Sequence, residues 1–117
     1  MLPARHRLRR GEDFASAVRG GRSGSRLAVV HARVSQPTVP ECRVGFVVSK
    51  AVGNSVQRNR VKRRMRAVMA QLLPSLPAGV DLVVRANPAA AEVIYLELDA
   101  ELQRLTRAAC SKTGITV

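Results

Sequence analysis

The sequence predicts an α+β fold of a single domain, and three observations carry the prediction. Two β-branched runs, Leu27 to Val34 and Arg43 to Ser49, are followed by a third at Val80 to Ala86. Apolar residues recur at helical spacing before, between and after these runs. With 117 residues, 46% of them hydrophobic, the chain can bury one core and is too short for several. Aromatic residues make up only 3%, so that core is built from Val, Leu and Ala.

The expected order is α-β-β-α-β-α over residues 1–117, with 1–10 and 111–117 as loose tails. A short helix over Gly11 to Val18 carries Glu12 and Asp13 at its start, and Phe14 and Val18 fall four apart on one face. Gly20 to Gly24 reads as a turn. The run LAVVHARV and the run RVGFVVS are joined by a loop containing Pro37 and Pro40, which suggests an antiparallel hairpin. Asn54 or Ser55 caps a longer helix in which Val61, Met65, Val68, Met69 and Leu72 form the inward stripe, and Pro74 stops it. The third strand, VDLVVRA, is apolar enough to be central. In the last helix Leu98, Leu102, Leu105 and Ala109 make the buried stripe, with acids early and Arg104 and Arg107 late, as the helix dipole favours.

Charge bounds the partner. There are 20 Lys and Arg against 8 Asp and Glu, a formal net charge of +12, and an excess of this size calls for a polyanion. Nucleic acid fits best, and no apolar run approaches the roughly 20 residues of a membrane span. Residues 1–10 lack the apolar segment of a secretory signal. Cys42 and Cys110 lie far apart without metal-ligand spacing and are expected as reduced thiols of a monomeric cytoplasmic protein.

From Cys42 to Val80 no acid interrupts Arg43, Lys50, Arg58, Arg60, Lys62, Arg63, Arg64 and Arg66. Arg58, Lys62 and Arg66 are spaced by four and line one helix face, with Arg60, Arg63 and Arg64 flanking it. Like charges so arranged destabilise an isolated helix, so an external polyanion is expected to supply the countercharge. The string Gly-Asn-Ser-Val-Gln-Arg-Asn-Arg-Val-Lys-Arg at positions 53 to 63 resembles the signature helix of the bacterial ribonuclease P protein subunit, with Arg58-Asn59-Arg60 as that family's RNR motif. The Arg-rich start before Glu12-Asp13-Phe14, the segment from Arg43 to Lys50, and the segment from Val83 to Pro88 agree with it, so the resemblance covers nearly the whole chain.

The resemblance implies a small α/β sandwich like the second domain of ribosomal protein S5, with a left-handed βαβ crossover that periodicity cannot reveal. It also implies a ribonucleoprotein in which RNA performs the endonucleolytic removal of the 5′ leader from precursor tRNA, using Mg2+ held mainly by RNA. On this reading the catalytic RNA is bound by Lys50, Asn54, Arg58, Asn59, Arg60, Lys62, Arg63 and Arg66. The single-stranded leader lies between the first helix and the sheet, against Arg9, Arg10, Phe14, His31, Arg33 and Phe46. Phe14 is the clearest stacking residue and equally a candidate for anchoring the first helix, Val18 and His31 stand where the family often has further aromatics, and the resemblance favours the cleft for Phe46. Arg85 is offset by about one residue from the family pattern and is left out of the set. No protein catalytic residue or metal ligand set is assigned, since His6 and His31 lack carboxylate partners by spacing and the acids are scattered.

Rival readings weigh less. Gly21-Arg22-Ser23-Gly24 matches the GXXG loop of KH domains, but a strand-like run follows where a helix is needed. A helix-turn-helix protein would have no use for three β-rich runs. A small basic ribosomal protein that binds rRNA is the stronger alternative, and it has no reason to combine the RNR string with the Phe14 region.

Overall fold

The computed structural model describes residues 4–8, 11–34 and 41–114. Helix α1 (Gly11–Ala17) holds Glu12 and Asp13 in its first turn. Three strands follow, β1 (Gly21–Gly24), β2 (Ala28–Val34) and β3 (Arg43–Val47), then helix α2 (Ser55–Leu72), strand β4 (Val80–Ala86) and helix α3 (Tyr95–Lys112). They form a four-stranded mixed sheet in the order β1-β2-β4-β3.

The first five residues of β4 are all buried, which demands neighbours on both sides and places the strand inside the sheet. It pairs antiparallel with β2 and parallel with β3. The hairpin expected between β2 and β3 therefore does not form, because β4 lies between them. A parallel pair needs a crossover, and α2 supplies it between β3 and β4. The hairpin that does form joins β1 to β2, with Gly21 opposite Ala32 and Gly24 opposite Val29. Gly20 to Gly24, expected as a turn, thus contributes an edge strand. Its glycines answer to proximity: a Cβ on Gly20 would come within 2.9 Å of the Ala32 carbonyl carbon, and one on Gly21 within 2.9 Å of Thr113 Cγ2.

Side chains alternate across the sheet. Ala28, Val30 and Ala32 of β2, Val44 of β3, and Val80, Leu82, Val84 and Ala86 of β4 join the expected stripes of α2 and α3 in the main core. The opposite face carries a smaller cluster of Leu8, Ala17 and Val83, with Phe14 and Val47 packed against it. Leu8 was expected in a loose tail. It is buried, and its amide donates to the Val44 carbonyl at 3.0 Å, extending the sheet edge. Ser111 and Lys112 likewise belong to α3.

Both cysteines are free and buried. Burial pushes the Cys42 thiol up to about 12 and the Cys110 thiol up to about 11, so both are protonated and unreactive at neutral pH.

Candidate nucleic-acid interface

Gly53 precedes α2 at φ 150°, and a Cβ there would come within 2.7 Å of Gln57 Cδ. That space is taken because Asn54 and Gln57 form a capping box: Asn54 Oδ1 accepts from the Gln57 amide and Gln57 Oε1 accepts from the Asn54 amide, both at 2.9 Å. Asn54, predicted to touch RNA, thus commits its oxygen to the helix start. The cap fixes the rotation of the helix, and with it the direction of each basic residue.

With the stripe of Val61, Met65, Val68 and Leu72 turned inward, successive residues fall about 100° apart and the basic side chains divide onto two flanks. Lys62 and Arg66 lean toward the edge of β3 and line a groove of about 300 Å³ with Arg7, Phe14, Gly45 and Phe46. Arg58 lies on the same flank, half-buried, with its Nε enclosed and unpartnered among the described residues. Arg60 and Arg64 turn the other way, where Arg60 Nη2 donates to the Ala91 carbonyl at 3.3 Å and Arg64 Nη1 to the Val93 carbonyl at 3.0 Å. Asn59 and Arg63 are exposed between the flanks, and Lys50 is exposed in the single 3-10 turn Lys50–Val52 ahead of the helix.

Between α1 and the sheet lies a second groove, of about 390 Å³, lined by Phe14, Ala15, Val18, His31, Val47, Val83 and Arg85. Its floor follows from register, since Arg22, His31, Val83 and Gly45 lie side by side across the four strands, with Val29, Arg85 and Val47 in the next row. Phe14 lies over Gly45 so closely that a Cβ there would stand 2.5 Å from its Cε1. The phenyl ring is therefore part of both grooves, and the basic flank of α2 runs into the α1 cleft beneath it.

His31 sits in the floor of this groove. Burial, then the charges of Arg22 and Arg85, hold its pKa below the ordinary 6.5, so the ring is neutral at neutral pH. Its Nδ1 is buried without a hydrogen-bond partner among the described residues. Phe46 departs from expectation: it shares the parity of Val44 and packs against the main core, reaching only the groove at the β3 edge. Arg33 lies outside both grooves and donates from Nη1 to the Ser16 carbonyl at 3.1 Å, tying β2 to the end of α1. Arg9 and Arg10 fall outside the described residues.

Arg43 was counted among the unneutralised charges, and the structure pairs it. Its Nε and Nη2 donate to the two oxygens of Asp81 at 2.9 and 2.8 Å, while Nη1 reaches Asp13 on α1 at 3.3 Å. These carboxylates raise the Arg43 pKa further, and the triad clamps α1 to the sheet. Sequence reasoning passed over Arg7 as tail and Arg85 as misaligned. Alternation along β4 could have found Arg85, because Asp81, Val83 and Arg85 share the face opposite Leu82 and Val84.

Among the described residues no three His, Cys, Asp or Glu side chains converge as a metal-ligand set, and no helix is long and apolar enough to cross a membrane. A family model described as Ribonuclease P matches residues 2–110. A ribonuclease P protein component of Streptomyces griseus is 51% identical over 117 aligned positions, covering 90% of this chain and 95% of that one. One from a Nocardioides species is 49% identical and covers 97% and 100% respectively. Among solved structures, an RNase P protein of Staphylococcus aureus aligns with TM-score 0.81 at 26% identity, over 92% of this chain and 98% of that one. An RNase P protein of Thermotoga maritima aligns with TM-score 0.72 at 27% identity, over 85% and 93%.

Proposed function

The chain belongs to the ribonuclease P protein family, whose members serve with the RNase P RNA in an endoribonuclease holoenzyme, and from that premise we propose how its two grooves divide the work. The β3-facing flank of α2 binds phosphates of the catalytic RNA, and the α1 cleft takes the single-stranded 5′ leader of precursor tRNA. One observation carries this reading: a basic helix flank and an apolar cleft lined by the cationic Arg85 meet under one aromatic ring, Phe14. Single-strand binders combine cations for the backbone with flat surfaces for the bases, and Phe14 with Arg85 and Arg22 supplies both.

Catalysis on this reading belongs to the RNA, in the cytoplasm where precursor tRNA is made. Magnesium held by the RNA would supply the Lewis-acid chemistry, while the side chains of this chain attract, orient and hold the two RNAs. Arg58, Lys62 and Arg66 offset repulsion between two polyanions, which lowers the magnesium needed for assembly. The ribosomal alternative gains no support from any relative reported above. The test is cleavage of 5′-labelled precursor tRNA at low magnesium by the same organism's catalytic RNA, with and without this protein. Stimulation of the mixture, with no cleavage by protein alone, is expected. Absence of stimulation together with tight binding to ribosomal RNA would overturn the proposal.

A further inference from the structure

On the flank of α2 turned away from Phe14, a third groove of about 410 Å³ is lined by Arg60, Arg63, Arg64, Ala67 and Tyr95. Two of its three cations are held in place: the carbonyls of Ala91 and Val93 anchor Arg60 and Arg64, so less side-chain freedom is lost when an anion arrives. The small Ala67 leaves room beside the half-buried Tyr95 ring. The neighbours of Tyr95 in the chain, Ile94 and Leu96, are apolar and 66% and 70% exposed. Among the described residues no carboxylate lines the groove; Glu92 is exposed on the adjoining turn, and Asp99, one helical turn beyond Tyr95, accepts a hydrogen bond from Gln103 at 2.9 Å.

We propose that this groove is a second RNA site, in which an unpaired nucleotide of the catalytic RNA stacks its base on Tyr95 while its flanking phosphates meet Arg60, Arg63 and Arg64. The inference rests on α2 as the surface that faces the catalytic RNA, and it extends that surface around the helix. Three permanent cations beside an aromatic ring match a nucleotide, which brings a flat base and charged phosphates on both sides. An acidic protein segment would satisfy the cations but leave the ring without a planar partner. A paired RNA helix would present phosphates but no free base.

The test is affinity for the catalytic RNA at fixed salt, with Tyr95→Leu, Tyr95→Phe and Arg58→Ala compared. Tyr95→Leu keeps apolar volume against the core and is expected to bind about tenfold more weakly, the lower range for loss of one stacked base, whereas Tyr95→Phe stays within about twofold. If Tyr95→Leu binds like the unaltered protein while Arg58→Ala is weakened, this inference falls and the assignment of α2 stands. If Arg58→Ala also binds normally, the assignment of α2 fails with it. Tyr95 is the single tyrosine and the chain has no Trp, so 3-fluorotyrosine labels one position and keeps the test independent of how Tyr95→Leu folds. Its 19F resonance is expected to shift when the catalytic RNA binds, and an unmoved resonance in a saturated complex would overturn the site.

Discussion

Replacing Arg43 by alanine removes the clamp between α1 and the sheet and strands a buried carboxylate. Asp81 is 4% exposed and receives both of its ionic hydrogen bonds from Arg43, at 2.8 and 2.9 Å. Breaking one partner out of a buried pair costs about 3–5 kcal/mol, mostly because the remaining charge has neither water nor a counterion. Arg43 itself is 19% exposed, so the lower end, about 3 kcal/mol, is expected. For a domain of this size that corresponds to a fall in Tm of roughly 12 °C. Asp13 is more open and receives one longer contact, at 3.3 Å, so Asp13→Asn should cost no more than about 1 kcal/mol. Urea titrations of Arg43→Ala, Asp13→Asn and the double variant Arg43→Ala/Asp81→Asn supply the assay. The double variant is expected to recover a large part of the loss, since it removes the stranded charge. Equal destabilisation of the single Arg43 variant and the double one would refute the buried-charge reasoning, as would a cost below 1 kcal/mol for Arg43→Ala.

Three other outcomes follow from the same structure. Arg58→Ala with Arg60→Ala should weaken binding to the catalytic RNA and make the dependence of log K on log salt shallower by about 1.4 to 1.8, from two lost phosphate contacts; filter binding across a salt series checks it. Because burial and neighbouring arginines hold His31 below its ordinary 6.5, the unfolded chain takes up that proton first. Its contribution to stability is therefore complete above pH 6.5 and is lost as pH falls below it, and His31→Asn should flatten the slope of unfolding free energy between pH 7 and pH 5. Cys42 and Cys110, raised to about 12 and about 11, should resist alkylation at pH 8 until denaturant is added, and rapid modification of the folded protein would contradict their burial.

What the chain reveals in advance is what local chemistry decides. The stripe of α2, its start at Asn54 and its stop before Pro74 all depend on residues a few positions apart, and the structure reproduces them. The same holds for the four apolar residues of α3. The place of β4 between β2 and β3 depends on pairing across 38 or more positions, whereas the order of neighbouring runs in the sequence suggests a hairpin. Arg43 looked free because its carboxylates lie 30 and 38 residues away. Phe46 was placed in the cleft by resemblance, although parity with Val44 turns it to the core. Phe14 and His31 are legible in sequence as the wall and floor of the cleft, whereas Arg85 shows only through strand alternation, which its one-residue offset from the family pattern obscures.

The central claim is that two faces of one small protein serve two RNAs, with Phe14 at their junction. It is tested most directly by measuring holoenzyme affinity for precursor tRNA with a long leader and for leaderless tRNA, using Phe14→Ala and Arg58→Ala beside the unaltered protein. The expected pattern is crossed: Phe14→Ala weakens binding of the long-leader substrate by about fivefold or more and spares leaderless tRNA, the loss of one stacked base. Arg58→Ala instead weakens assembly with the catalytic RNA and, once assembled, keeps the full leader effect. Equal losses on both substrates with Phe14→Ala would make Phe14 a packing residue and contradict the account.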